Sequence, residues 1–302
     1  MATFARATFS AKAYAAFRPT YPASLFRTVL DFHQLPLGGS EATLLDIGCG
    51  HGLIARAMSP HFQRVLAFDP SAGMIEHARN TTEDAKIAFH HGRAENLAAF
   101  VRPASVDMAV AGQAAHWFDH GAVWRELARA LKPGGTVAFW GYVDNVILGA
   151  EQATAIMERF VYGFGDVAPG VEGMGHYWEQ PGRNILRGLL RSVEVPGDCW
   201  RDVTRLEHEP GEQPVGDAAW LRKRLKLGEL EAYTRTFSCY SAWKDAHPAA
   251  KSRAEGGDGD VVDVMWDQMI DSVAEWKAMG ERWRDAEVSS DWGTYIIMAR
   301  RR

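Results

Sequence analysis

The chain has 302 residues, 47% hydrophobic and 24% charged, with 33 basic against 38 acidic side chains and a formal charge of −5. That composition supplies a packed core, excludes whole-chain disorder, collagen and coiled coil, and lacks the basic excess of a sequence-blind nucleic-acid binder. Cys49, Cys199 and Cys239 include no CxxC pair and cannot pair off evenly, and no stretch nears 18 uninterrupted apolar residues. The expectation is therefore a soluble, cytoplasmic protein with no disulfide framework, no metal, no membrane span and no nucleic-acid partner.

Residues Met1 to Leu30 carry Arg6, Lys12, Arg18 and Arg27 and no acid, the composition of a transit peptide. Arg18-Pro19-Thr20-Tyr21-Pro22 reads instead as a turn closing an ordered arm, which is the preferred reading. Ser24, Leu25, Phe26, Val29, Leu30 and Phe32 then follow helical spacing. From Leu44 strands alternate with helices. Leu44–Ile47 is a strand followed by a glycine loop and a helix through Ala57. Arg64–Phe68 is a second strand ending at Asp69, with a helix over Ser71–Ala78. Lys86–Phe89 and Val106–Val110 are the third and fourth strands, Asp119–Leu131 a helix, and Thr136–Trp140 the fifth strand. This rhythm predicts an α/β chain with a doubly wound, Rossmann-like, mostly parallel sheet.

Beyond Gly141 the rhythm breaks. Residues 163 to 182 hold six glycines and two prolines, and two long helical patterns follow, Leu227–Asp245 and Val261–Met279. Trp292–Met298 is apolar and fits a closing strand. Eight of the 11 tryptophans lie after Tyr142. The expected organisation is an N-terminal arm and helix over 1–39 that contributes to a substrate pocket, and a ligand-binding core over 40–141. A helical, aromatic-rich insertion over the C-terminal strand ends spans 142–290 as a lid, and the closing strand is 291–302.

Asp46-Ile47-Gly48-Cys49-Gly50-His51-Gly52 sits between the first strand and its helix, where glycines let a ligand approach the main chain. A dinucleotide fingerprint would need glycine or alanine at position 53, which is leucine. Asp46 would repel a pyrophosphate and suits a ligand bearing an ammonium and a sulfonium. Asp69, at the end of the second strand, can accept both hydroxyls of a ribose. Taken one at a time, Asp46 could be a helix-capping acid, Asp69 a turn residue and Cys49 a small loop residue.

Residues 40 to 141 resemble the class I S-adenosylmethionine-dependent methyltransferases. The resemblance implies S-adenosyl-L-methionine as cofactor and S-adenosyl-L-homocysteine as product. It also implies that Met74, after Ser71-Ala72-Gly73, packs on the adenosine, that Ala94 and Glu95 lie at the adenine edge, and that Gln113 lines the methionine side. Tyr14, Arg18-Pro19, Tyr21-Pro22, Ala115-His116-Trp117-Phe118-Asp119, Trp140-Gly141-Tyr142, Tyr177-Trp178-Glu179-Gln180-Pro181-Gly182-Arg183 and Tyr233-Thr234-Arg235-Thr236-Phe237-Ser238 resemble the trans-aconitate 3-methyltransferase branch, which includes cantharidin methyltransferases. His51 and His176 depart from it, standing where proline is expected.

That resemblance implies a small-molecule acid as acceptor. A carboxylate is ionised at neutral pH and needs no general base, but it needs cations to seat it, and Arg18 and Arg183 are the candidates. Tyr21, Trp117, Tyr142, Tyr177 and Trp178 would form apolar walls that exclude water. For a hydroxyl, thiol or amine acceptor, His116 could remove the proton. Three readings stand: carboxyl methylation of a small acid, tailoring O-methylation of a larger apolar metabolite, and a cofactor-binding protein that does not methylate.

Overall fold

The computed structural model describes residues 19–33 and 42–302; Tyr14 and Arg18 lie outside them. The first described helix, α1 (Ala23–His33), buries Leu25, Val29 and His33 on one face. Then come β1 (Thr43–Ile47), α2 (Leu53–Met58), β2 (Arg64–Asp69), α3 (Ala72–Asn80), β3 (Ile87–His91), β4 (Val106–Gly112), α4 (His120–Ala130) and β5 (Leu131–Ile147). Two helices start on polar caps, at the residues where the sequence places their beginnings. Ser71 Oγ accepts from Met74 N, and Asp119 Oδ1 accepts from Ala122 N at 3.1 Å.

The second half contains α5 (Glu151–Tyr162), the short hairpin β6 (Asp166–Ala168) and β7 (Val171–Glu172), α6 (Gly182–Arg187), β8 (Trp200–His208) and β9 (Arg222–Lys226). It ends with α7 (Leu227–Thr234), α8 (Ser238–Ala246), α9 (Val261–Asp271), α10 (Ala274–Ala278) and β10 (Glu287–Arg301). Strand order is β3-β2-β1-β4-β5-β10-β8, with β9 also pairing on β10. The pairs β1–β2, β1–β4, β2–β3 and β4–β5 are parallel, and β10 runs antiparallel to β8 and β9. The sheet is thus mostly parallel and Rossmann-like, as expected, with antiparallel strands added at one side.

The described chain divides into two compact units. One holds residues 20–33, 42–143, 184–221 and 293–302. Its core on one sheet face joins Leu45, Ile47, Phe68, Val137, Phe139 and Ile297 to Val123, Trp124 and Leu127 of α4. The other unit holds 144–183 and 222–292 together with Pro19. The segment expected as one insertion is therefore split, because 184–221, with β8, belongs to the sheet unit. In the second unit α9 packs on α5. Arg235 there joins Glu231, Asp260 and Asp263 by ion pairs, and Asp260 caps α9.

Both long helical patterns are interrupted. Thr234 and Thr236 turn their hydroxyls back onto the Glu231 and Tyr233 carbonyls at 2.7 Å, and Phe237 is extended, so α7 and α8 are separate. Ser272 Oγ donates to Met269 O and divides α9 from α10 in the same way. Among the described residues no helix is long and apolar enough to cross a membrane.

Candidate functional site

The turn after β1 is shaped by three left-handed glycines, Gly48 (φ 71°), Gly50 (φ 53°) and Gly52 (φ 85°). A Cβ on Gly48 would lie 2.4 Å from Ala114 Cβ, whereas one on Gly50 would meet nothing within 4 Å. The loop is tied to the end of β2: the amides of Gly48 and Cys49 donate to Phe68 O at 2.8 and 2.9 Å. Asp69 completes the tie, accepting from Gly50 N on Oδ2 and from Ser71 N on Oδ1, each at 2.8 Å. Each of its oxygens keeps a second lone pair for a further donor.

Asp46 lies fully buried on β1, and neither carboxylate oxygen completes a hydrogen bond. Burial pushes its pKa up to about 7; the Ala55 N–H, in the first turn of α2, draws it part of the way back, and Asp69 adds to the rise. Burial is also the main reason the Asp69 pKa is raised, against the opposing pull of the Ser71 and Gly50 amides. A buried carboxylate with no partner is costly unless a cation or donor meets it. Two acids, an open backbone turn and one orphaned carboxylate therefore fit a cationic nucleoside such as S-adenosylmethionine. Asp46 would face its positive charge and Asp69 its ribose hydroxyls.

Met74 and Ala94 are buried in the same unit. Glu95 is engaged locally, accepting from Asp119 N at 3.1 Å and from Arg93 Nε at 3.2 Å. Cys49 is buried, and burial with both aspartates nearby holds its thiol well above the usual range, so it is no thiolate nucleophile. His51 is held by Arg56, whose Nη1 donates to His51 O at 2.8 Å; burial and Arg56 lower the His51 pKa. Gln113, directly after β4, spends its side-chain amide on the main chain of Tyr142. His116 is buried in a single turn over Ala115–Trp117, against the Trp117 ring at 4.7 Å.

The expected acceptor residues fall in both units. In the sheet unit Tyr21 lies 5.9 Å from Trp140 and 5.7 Å from Trp220, and Tyr142 lies 6.3 Å from Trp220, ring centroid to centroid. Trp117 belongs to the same unit. In the other unit Tyr177 donates to Glu172 Oε2 at 2.8 Å and Trp178 Nε1 to Val161 O at 2.8 Å. Arg183 stacks on Trp178, its Cζ 3.9 Å from the ring centroid, and bonds to Asp144 and to Tyr162 Oη. Its charge is thus already countered, while its Nε is buried without a partner. The sequence reading missed Asp144, Tyr162 and Trp220. No local motif marks them, because each matters only through a contact distant in sequence.

Residues 45–139 match the family model described as a methyltransferase domain. The chain is 28% identical over 262 residues to the "probable S-adenosylmethionine-dependent methyltransferase CRG1" of Saccharomyces cerevisiae, covering 82% of this chain and 85% of that one. It is 33% identical over 217 residues to the methyltransferase gedG of Aspergillus terreus, covering 72% of this chain and 60% of its relative. A solved structure described as a type II methyltransferase from Anaeromyxobacter dehalogenans shares the fold. Its TM-score is 0.64 at 24% identity, over 94% of this chain and 98% of that one. The matched stretch lies within the unit that carries the glycine turn and both aspartates, and the protein is an S-adenosylmethionine-dependent methyltransferase with a class I core.

Proposed function

We propose that the acceptor is a carboxylate of a small organic acid of the trans-aconitate type, which leaves as its methyl ester. The bound cofactor supplies an electrophilic methyl group on a positively charged sulfur. An ionised carboxylate oxygen is nucleophilic without deprotonation, so the chain's task is to hold the acid in line and dry. Positioning of that kind contributes on the order of 7–11 kcal/mol.

The observation that carries this reading is Arg183, a guanidinium framed by Trp178 and Tyr162 at the end of the Tyr177–Arg183 motif, with its Nε unspent. Asp144 balances its charge, so the guanidinium offers directional N–H bonds rather than net attraction. Arg18 is the second expected cation. The test is methyl transfer from labelled S-adenosylmethionine to trans-aconitate and to related di- and tricarboxylates. The expected product is an ester that alkali cleaves. An alkali-stable product from other acceptors, with none from the acids, would overturn the reading.

One observation favours tailoring O-methylation of a larger apolar acceptor: the aromatic group of Tyr21, Phe26, Trp140, Tyr142 and Trp220 in the cofactor-binding unit. In that case His116 acts as base, and the rate climbs with pH through a histidine titration.

A further inference from the structure

β4 stops at Gly112, opposite Trp140 of β5, yet the bonding between the two strands continues past it. Gln113 N donates to Trp140 O at 2.8 Å. Its backbone then turns into the left-handed region, φ 54°, which a residue with a side chain adopts at a cost. In that conformation its carboxamide brackets one peptide segment: Nε2 donates to Tyr142 O, and Oε1 accepts from Tyr142 N, both at 2.8 Å. One planar side chain thereby does for Tyr142 what the main chain of a neighbouring strand would do. A primary amide offers donor and acceptor side by side at any pH, whereas a carboxyl does so only when protonated.

The residue between the two partners has to be glycine. A Cβ on Gly141 would fall 2.6 Å from Gln113 Oε1 and 2.5 Å from Tyr295 Oη. Tyr295 is fully buried there, and burial raises its pKa. Tyr142 is itself buried, with its ring edge-on to Trp220. A strained turn, two short bonds and an obligatory glycine thus converge on the placement of one aromatic ring.

We propose that Gln113 is a positioning residue, which fixes the Tyr142 ring in the acceptor wall and does not itself bind the cofactor. This rests on the reading above that Tyr142 faces the acceptor, and it holds for either acceptor class. Gln113→Met removes both bonds at similar length. Gln113→Glu keeps the length, lacks the donor when ionised, and regains it when protonated.

The full-length variants are compared by calorimetry with S-adenosylhomocysteine and by methyl transfer at saturating cofactor from pH 5.5 to 8.5. The acceptors are trans-aconitate and, in parallel, a crude metabolite extract. Affinity for S-adenosylhomocysteine should stay within threefold of wild type. Gln113→Met should lose at least tenfold in rate at every pH. Gln113→Glu should be as slow at pH 8.5, and its rate relative to wild type should recover at least fivefold by pH 5.5. In a Tyr142→Ala background, Gln113→Met should change the rate less than twofold. A tenfold loss of S-adenosylhomocysteine affinity, a flat relative profile for Gln113→Glu, or additivity with Tyr142→Ala would each overturn the proposal.

Hydrogen exchange supplies an arm that needs no acceptor. The Tyr142 amide should exchange at least tenfold faster in Gln113→Met, with Ala138–Trp140 unchanged. An unchanged Tyr142 amide would also overturn the proposal. Turnover of the extract without turnover of trans-aconitate would sink the carboxylate reading alone.

Discussion

Asp46 offers the sharpest test of how the cofactor is recognised. Its pKa stands near 7, against 3.8 for an ordinary aspartate, because the carboxyl is buried. Between those values the native chain holds more protons at this position than the unfolded chain, so stability falls as pH rises through the window. The penalty is absent below about 3.8 and fully present above about 7, where it amounts to about 4 kcal/mol. Asp46→Asn removes that penalty but leaves a buried amide, which itself costs about 1–3 kcal/mol if unpaired. The ligand-free variant should therefore be more stable than wild type by about 1–3 kcal/mol at pH 8, with the gain about 2 kcal/mol smaller at pH 5.5. The same substitution should weaken S-adenosylmethionine binding severely. Wild-type binding at pH 6 should release close to one proton as the cation restores the carboxylate. Urea unfolding at the two pH values, and calorimetry in buffers of different ionisation enthalpy, measure both halves. A variant less stable than wild type at pH 8 that binds the cofactor unchanged would refute the reasoning.

Asp69→Ala should abolish measurable cofactor binding by calorimetry, since it removes the expected ribose acceptor and releases the Gly50 and Ser71 amides, while circular dichroism stays native. Gly141→Ala should slow methyl transfer at least tenfold, as the new methyl displaces Gln113 Oε1 or Tyr295 Oη; an unchanged rate would mean that β5 and its neighbours yield freely. Arg235→Met leaves Asp260 and Asp263 buried without their shared cation. It should cost roughly 3–5 kcal/mol, read as a lowered urea midpoint.

The parallel half of the sheet was legible because a buried strand is a short apolar run, and two of its helices open on a polar residue, Ser71 and Asp119. Leu44–Ile47, Arg64–Asp69 and the caps Ser71 and Asp119 all state their roles within a few residues. The second half was harder to read for physical reasons. β8 carries Arg201, Asp202, Arg205 and Glu207, whose charges mask its alternation, and it is a strand because β10 pairs with it. β9 is nearly all basic and pairs on β10, where Asp291 takes the Arg222 guanidinium. The breaks at Thr234–Phe237 and at Ser272 depend on hydroxyls turning back to the main chain, which periodicity does not register. In the cofactor turn, residue type and spacing pointed to Asp46 and Asp69. The sequence could not show that Gln113 is committed to Tyr142, or that Arg183 is matched by Asp144.

The way the sheet is assembled from separated stretches governs how this enzyme can be dissected. The stretch 45–139 that matches the methyltransferase domain invites excision as a minimal fragment, yet β5 would then lose its neighbour β10, contributed by residues 287–301. Such a fragment would present a long bare edge of main-chain donors and acceptors, a template for self-association. A usable cofactor module would need its strands relinked in a new order, with 293–302 grafted beside β5.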